Sequence, residues 1–407
     1  MEVNGSVLQE LLNRMTILCD HFAESDSEAA TVPYKLTQLL DIAVAHGASA
    51  LNINVGSAPT LRINNMLSVV EGSPLSDADC RKLLKPVLTS YLRSQLVKEG
   101  HAETCIAGGG SGFKVHLFLE RSHVCASFHR LRTDIPKLET LGLSGSLVEN
   151  ILEQPSGLIL LTGLPRSGKI NTLAALVSHV NATRLARIVT LENPIQFWRY
   201  NQLSTILQRE VGVDVPSFST GIQQAIDQDA DVLGISEIPD RETATFAIRA
   251  ATNNKLVIAV LDATSPDRGL DRILSSFDDQ ERAKMAPIFA NALRIVLHQT
   301  LVNRSDGRGV IPAFEILVNN DEIHEELKNG RTDKLAWIMQ EHNMQTLGKS
   351  LSRLVSAGLV DKEEALHYLS DPSELQIDKD SLANLGDYDS EPVTDVDTND
   401  TPLMSWL

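Results

Sequence analysis

Short, unbroken runs of apolar residues in the second half of the chain predict the strands of a parallel sheet. Four such runs, at residues 158–162, 188–191, 232–235 and 256–261, are separated by segments with helical spacing. Strands that lack a polar face are typical of parallel sheets covered by helices on both sides. Just after the first run, apolar residues recur at helical intervals over residues 172–180. The pattern therefore predicts an α/β core.

The first half of the chain mixes helical and strand patterns. Residues 7–22 carry apolar side chains on one side of a predicted helix, and a linker follows to residue 31. The next predicted elements are two helices and two strands, at residues 36–45, 77–97, 51–55 and 115–119. The spacing of Ser76 and Asp79 predicts a capped start for the second helix. We therefore expect an α+β domain over residues 32–137.

The last third of the chain divides into a helical region and an acidic tail. After residue 282 the pattern is mostly helical to about residue 369, so we assign residues 138–370 to one core with a helical C-terminal part. Residues 371–407 contain ten Asp or Glu and one Lys. Such a segment buries too little apolar surface to offset its ordering entropy, and we expect it to be disordered.

The net charge and the cysteine spacing argue against nucleic-acid-binding, zinc-binding and disulfide-rich proteins. The 407 residues have a formal net charge of −17, so a nucleic-acid-binding surface is not expected. The four cysteines lie far apart without a C-x-x-C pair, which indicates neither a zinc site nor a disulfide framework. No apolar run has the length of a membrane span, and the N-terminus lacks a signal-peptide pattern. We expect a cytoplasmic protein without nucleic acid partners or direct membrane insertion.

The segment from Gly163 to Lys169 fits the G-x-x-x-x-G-K half of the phosphate-binding P-loop. Its glycines let backbone N–H groups approach phosphate oxygens, and its lysine reaches the β- and γ-phosphates. A predicted strand precedes the segment and a predicted helix follows it, as the motif needs. The residues expected to contact ATP are Gly163, Arg166, Ser167, Gly168, Lys169, Ile170 and Asn171. The alternative is a glycine-rich turn that binds nothing.

The metal half of the motif is altered. The motif has Ser or Thr after the lysine because this hydroxyl is a ligand of Mg²⁺, but Ile170 has no oxygen. Thr172 lies two positions further, about 200° round the helix, and is not expected to reach the metal. Arg166 lies inside the loop, where it either crowds the phosphates or neutralises them. The sequence therefore predicts ATP binding with an impaired Mg²⁺ site.

Five further motifs follow one another along the chain. They read GASALNI at 47–53, TLENPIQF at 190–197, QREVG at 208–212, DADVLGISE at 229–237 and LDATS at 261–265. In this order they resemble the pilus-retraction (PilT/PilU-like) branch of the type II/type IV secretion ATPases. In that family the second, fourth and fifth segments are an acidic box, the Walker B segment and a histidine box. The resemblance covers about residues 34–375.

The resemblance implies an α/β protein with a PAS-like N-terminal α+β domain, a RecA-like P-loop core and C-terminal helices. It implies a homo- or hetero-hexameric ring at the inner-membrane platform of a pilus or secretion system, with ATP between the domains. In the family, the Walker B glutamate polarises the attacking water and the acidic-box glutamate supports metal and water. Glu237 and Glu192 occupy those positions, and Asp229 and Asp231 resemble the acids that organise Mg²⁺. The alternative for the two glutamates is a structural role at the ends of buried strands.

The chain departs from the family pattern at positions close to the chemistry. The replaced residues of the acidic, Walker B and histidine boxes are Asn193, Gln196, Ser236, Lys255 and Asp262. An anion at Asp262 repels phosphate oxygens, whereas the family's histidine could donate a hydrogen bond. Together with Ile170, these changes predict weak or absent hydrolysis.

The resemblance also implies arginines that bridge subunits and neutralise transition-state charge. In the family they come from the strand pair that here runs over residues 113–132. Arg121, Arg130 and Arg132 are the candidates, and a surface salt bridge is the alternative role for each. Lys114 stands where the family usually has arginine, which keeps the charge but not the bidentate geometry.

Three functions remain open on the sequence. The first is a ring subunit with weak or absent ATP hydrolysis that regulates or joins a type IV pilus-retraction (twitching-motility) or related secretion motor. The second is an active retraction ATPase with an altered metal site, in which water replaces the missing hydroxyl. The third is a scaffold that no longer binds nucleotide.

Overall fold

The computed structural model describes residues 34–143, 146–369 and 371–376. The chain forms two compact units. Among the described residues, the first unit comprises residues 34–133 together with Ile195–Trp198, and the second comprises the rest. The predicted helix at residues 7–22 and the predicted acidic tail beyond residue 376 lie outside the described residues.

The described part of the first unit is an antiparallel sheet accompanied by three helices. Its elements in chain order are α1 (Leu36–Ala45), β1 (Ala50–Ile53), β2 (Thr60–Ile63), β3 (Met66–Val69), α2 (Asp77–Leu84), α3 (Ser90–Glu99), β4 (His101–Gly108), β5 (Ser111–Glu120) and β6 (His123–Arg130). The strands pair in the order β3-β2-β1-β6-β5-β4, each antiparallel to its neighbours. Leu39, Leu84, Phe113 and Phe128 are fully buried in its apolar core.

The single helix predicted over residues 77–97 is wrong, because the structure divides this segment into α2 and α3. α2 begins after Ser76, whose side chain accepts a backbone N–H in the predicted capping box. The chain then passes Pro86, which has no N–H to continue the helix. Thr89 caps α3 by accepting the N–H of Leu92. The division therefore follows from one proline and a second capping residue.

The described part of the second unit contains a mostly parallel sheet of seven strands. Its elements in chain order are α4 (Ser146–Leu152), β7 (Gly157–Gly163), α5 (Lys169–Thr183), β8 (Arg187–Glu192), β9 (Thr205–Glu210), α6 (Phe218–Asp227), β10 (Val232–Ile235), α7 (Arg241–Thr252), β11 (Leu256–Asp262), α8 (Pro266–Ser275), α9 (Asp279–Ala292), β12 (Leu293–Asn303), β13 (Val310–Val318), α10 (Asp321–Lys328), α11 (Leu335–Glu341), α12 (Leu347–Ser356), α13 (Lys362–Leu366) and a 3₁₀ turn (Pro372–Glu374). The strand order is β13-β12-β7-β11-β10-β8-β9. Only the edge pair β12–β13 is antiparallel among these strands of the described chain.

Helices cover both faces of this sheet. On one face, Ile222, Ala247, Leu270 and Phe289 of four successive helices pack with side chains of β7, β8, β10 and β11. On the other face, α4 and α5 pack on the alternate side chains of the same strands. The predicted strands are therefore buried on both sides, which explains why their sequences have no polar face.

The prediction that the chain is mostly helical after residue 282 is wrong for residues 293–318. These residues form the β12–β13 hairpin, and β12 lies beside β7 as a parallel strand. A short apolar run cannot be assigned to helix or strand by periodicity alone, and here the pairing with β7 decides. The hairpin brings His298 and Gln299 to the strand that leads into the P-loop.

The first described residues of the predicted tail are ordered. Pro372–Glu374 form a 3₁₀ turn, and the N–H of Gln376 donates to Ser352 Oγ at 2.9 Å.

Within the described ranges, no helix combines the length and the apolar composition that a membrane span requires.

One close contact in the first unit predicts a sensitive position. A Cβ atom added at Gly112 on β5 would lie 2.2 Å from Cε3 of the Trp198 ring. We expect Gly112→Ala to lower the free energy of unfolding by about 1–3 kcal/mol, because the ring must shift. Chemical denaturation measures this. The same change in a Trp198→Ala background should cost much less, and an equal cost there would show that the ring is not the obstacle.

Candidate functional site

The turn between β7 and α5 has the geometry of a phosphate-binding loop. Gly163 has φ 152° and Gly168 has φ 82°. A Cβ at Gly163 would lie 2.4 Å from Ser167 Oγ, and one at Gly168 would lie 2.8 Å from Gln299 Nε2. Gly163 is therefore required by backbone conformation and by space, and Gly168 by its left-handed backbone conformation. Backbone N–H groups at the start of α5 lack intrahelical partners and favour an anion.

Lys169, the lysine of this loop, is committed to groups of the same chain. Its side chain is 7% exposed, and its Nζ donates to the carbonyl oxygens of Gly163 at 3.0 Å and Leu164 at 2.5 Å. It also lies 3.0 Å from Oδ1 of Asp262. The ammonium group therefore has an anionic partner within the site.

Asp262 reaches Lys169 through the register of the sheet. It is the last residue of β11 and pairs with Gly163 at the end of β7. Arg272 donates to the backbone oxygen of Asp262 at 2.6 Å, and this contact ties the strand end to α8. The carboxylate remains about half exposed. The half-exposed side is open to water, so the pair adds little to stability but changes the charge that an incoming phosphate meets.

The first turn of α5 offers no hydroxyl at the metal position. Ile170 is half-buried and packs against the apolar cluster under α5. Thr172 is fully buried, and its hydroxyl donates to Gln299 Oε1 at 2.6 Å. Arg166 is exposed and adopts a left-handed conformation with φ 65°. Among the described residues, no group of three or more His, Cys, Asp or Glu is arranged to hold a metal ion.

His298 is a site residue that no motif marks in the sequence. Its Nδ1 lies 3.0 Å from the hydroxyl oxygen of Thr162, one residue before the loop. Burial and the positive charge of Lys169 lower the pKa of His298 to about 4. The imidazole is therefore neutral at physiological pH. Its contact with Thr162 stabilises the end of the strand that leads into the loop without adding charge.

Glu192, one of the two predicted catalytic acids, ends β8 in a buried polar cluster. It is 1% exposed. Its Oε1 accepts hydrogen bonds from Thr190 at 2.7 Å, Arg199 at 2.6 Å and Gln208 at 3.1 Å. β10 and β11 lie between β8 and β7, so three strand spacings of about 4.8 Å separate Glu192 from the loop strand. The motifs marked this carboxylate as a site residue, whereas Arg199 lies outside the motifs and Gln208 begins the QREVG segment without an assigned role.

Glu237, the other predicted catalytic acid, follows the carboxyl end of β10 and is exposed. The preceding residue, Ser236, accepts the N–H of Asn193 at 3.1 Å and joins the ends of β8 and β10. Gln196 belongs to the first unit and is exposed. The strand order places Glu237 between the strand of Asp262 and that of Glu192.

The assignment of Asp229 and Asp231 to a Mg²⁺ site at the P-loop is wrong. Both precede β10, and the register Val232–Leu256–Gly157 places them at the amino-terminal edge of the sheet. Asp231 accepts the N–H of Arg187 at 2.8 Å. Asp229 is 97% exposed, with Oδ1 3.7 Å from Lys255 Nζ. The seven residues of β11, about 20 Å, separate this edge from the phosphate loop.

Lys255 belongs to the same distant edge, because it directly precedes β11. The structure therefore separates the two altered histidine-box positions. Asp262 contacts the P-loop lysine, whereas Lys255 does not take part in the site.

The three candidate bridging arginines lie in the first unit. Arg121 is exposed in the turn between β5 and β6. Arg130 Nε donates to Ser111 Oγ at 3.3 Å, and the Arg132 guanidinium lies 5.1 Å from the centre of the Phe197 ring. Their role between subunits stays a prediction.

Comparison with known proteins identifies the family. Residues 125–367 match the model of the type II/IV secretion system protein family. The chain belongs to this family. Type IV pilus ATPase PilU of Pseudomonas aeruginosa is 28% identical over 372 residues, which cover 88% of this chain and 97% of PilU. Type IV pilus retraction ATPase PilT of the same organism is 29% identical over 336 residues, which cover 81% of this chain and 96% of PilT.

A solved structure of the same family supports the fold. The crystal structure of the pilus retraction motor PilT with bound ADP matches with a TM-score of 0.68 at 29% identity, over 84% of this chain and 99% of that chain. The resemblance to PilT and PilU and the RecA-like α/β fold class are therefore confirmed. The chain is homologous to pilus-retraction ATPases of the secretion ATPase family.

The buried histidine predicts a pH dependence of stability. The pKa of His298 is lower in the folded chain than in the unfolded chain, so the unfolded state binds the proton first as the pH falls. The neutral imidazole therefore contributes to the free energy of unfolding. This contribution is fully present above about pH 6.5 and falls by up to about 1.4 kcal/mol per pH unit towards about pH 4. We expect His298→Gln to remove it from the pH profile of the free energy of unfolding. His367→Gln, at an exposed position, should retain it, and identical profiles for wild type and His298→Gln would contradict the prediction.

Proposed function

We propose that this chain is a ring subunit of a type IV pilus or related secretion motor that hydrolyses ATP weakly or not at all. Homology to PilU and PilT over most of the chain supports the motor. The subunit would form a homo- or hetero-hexamer on the cytoplasmic side of the inner-membrane platform. Its role there would be to regulate or join an active paralogue.

The observation that carries this proposal is the contact between Asp262 and Lys169, with Nζ and Oδ1 3.0 Å apart. In a working P-loop the lysine is the cation that draws the β- and γ-phosphates into place. Here a phosphate oxygen that approaches the same ammonium meets a carboxylate, and two anions close together repel each other. Nucleotide must therefore displace Asp262 or bind without the full charge of Lys169.

The residues present fit the phosphates of ATP better than they fit Mg²⁺. The glycine cradle and the backbone N–H groups at the start of α5 suit phosphate oxygens. Ile170 provides no metal ligand, and the hydroxyl of Thr172 is bonded to Gln299. We therefore propose nucleotide binding in which Mg²⁺ contributes little.

Steady-state phosphate release tests the loss of hydrolysis. We expect turnover well below about 1 per second, the low end of the range of working enzymes. Any residual rate should disappear in Glu237→Gln, because Glu237 is the predicted water-polarising acid and is exposed at the carboxyl edge. Turnover of about 1–100 per second would instead support the active retraction ATPase. A residual rate that Glu237→Gln leaves unchanged would assign the activity to a different site.

Removing the internal anion should strengthen nucleotide binding. We expect Asp262→Asn to lower the Kd for ATP by about tenfold, since Lys169 then meets the phosphates without a competing carboxylate. Isothermal titration with and without Mg²⁺ measures this. Asp229→Asn removes the same charge from the distant edge and should leave the Kd nearly unchanged. Equal effects of the two substitutions would mean that net charge, and not the contact with Lys169, sets the affinity.

The same titration distinguishes the scaffold alternative. A scaffold would bind ATP neither with nor without Mg²⁺, and Asp262→Asn would not restore binding. The intact glycine geometry of the loop favours the nucleotide-binding proposal over this alternative.

A further inference from the structure

An apolar groove crosses the first unit between α1, the end of α2 and β4. Its volume is about 410 Å³. Its walls include Leu36 and Leu40 of α1, Leu83 of α2, and Val87 and Ile106. None of these side chains belongs to the nucleotide site, and the groove plays no part in the function proposed above.

The rim of the groove is basic. Lys35 and Lys82 line it, both are exposed, and its described lining includes no Asp or Glu. The groove therefore suits an apolar ligand that also carries negative charge.

The chain itself supplies such a segment directly next to the groove. Tyr34, the first described residue, lines the groove, so residues 1–33 continue from its edge. Residues 7–22 place Leu8, Leu11, Leu12, Met15, Leu18, Cys19 and Phe22 on one helical side. Residues 1–33 carry six Asp or Glu and one Arg, opposite in sign to the rim.

The connection is long enough for the segment to return to the groove. Residues 23–33 can span up to about 36–40 Å when extended. This exceeds the length of the segment itself, which is about 24 Å as a sixteen-residue helix. A helix laid into a groove through positions spaced at i, i+3, i+4 and i+7 is a recurring mode of recognition.

We propose that residues 7–22 bind in the groove of their own subunit as an amphipathic helix. The apolar side would cover Leu36, Leu40 and Ile106, and the acidic excess of residues 1–33 as a whole would be attracted by the basic rim at Lys35 and Lys82.

Cross-linking of the full-length chain tests where the segment lies. Ala107→Cys places a thiol in the groove wall at an exposed position, where native Cys19 can reach it. We expect an intramolecular disulfide between the two under mild oxidation, identified by peptide mass spectrometry. Ser68→Cys on β3, at the opposite edge of the same sheet, should form none with Cys19. Equal cross-linking at both positions, or a cross-link only between two copies, would overturn the proposal.

Hydrogen exchange tests the chemistry of the contact. We expect Leu11→Asp with Met15→Asp to raise amide exchange in residues 36–40 and 83–87 by about tenfold, because the groove is uncovered. Gln9→Asp with Asn13→Asp adds the same charges to the other side of the predicted helix and should leave exchange unchanged. Deletion of residues 377–407 should also have no effect. Unchanged exchange in the Leu11 and Met15 variant, or equal effects of the two pairs, would overturn the proposal.

Discussion

The parallel pairing of β7 with β11 sets the chemistry of the nucleotide site. This register puts the end of β11 opposite the end of β7, and so brings Asp262 to the ammonium of Lys169. The glycine turn positions the lysine, the sheet positions the carboxylate, and neither element alone creates the contact. A family fold can therefore be preserved in full while the charge at its phosphate site is changed by one residue at a strand end.

Glu192 shows how a motif residue can serve the structure. Its carboxylate is buried and receives three hydrogen bonds, one of them from Arg199, so its negative charge is compensated inside the unit. Removing one partner of such a buried pair would leave an uncompensated charge, which is costly. The cluster joins β8, β9 and the chain after Pro194. These contacts give Glu192 a structural role, and the catalytic role of Glu192 and Glu237 stays a prediction.

The predicted site residues of the core lie at two opposite edges of its sheet. The carboxyl edge holds the loop, Asp262 and Glu237, as expected for an open parallel sheet. The amino edge holds Asp229, Asp231 and Lys255, which pair with one another or with the backbone. The Walker B segment, residues 229–237, runs along β10 from one edge of the sheet to the other. Asp229 and Asp231 therefore lie at one end of this strand and Glu237 lies at the other end.

The sequence alone determined the parallel strands, the P-loop and the family, because unbroken apolar runs and the G-x-x-x-x-G-K spacing are local signals. It also determined that the hydroxyl ligand of Mg²⁺ is missing, because Ile170 stands where the motif has Ser or Thr. The tertiary structure decided which distant residues meet. His298 reaches Thr162 only because β12 pairs with β7, and Asp229 is excluded from the site only because strand direction puts it at the far edge. Such contacts depend on strand order and register, which no short stretch of sequence encodes.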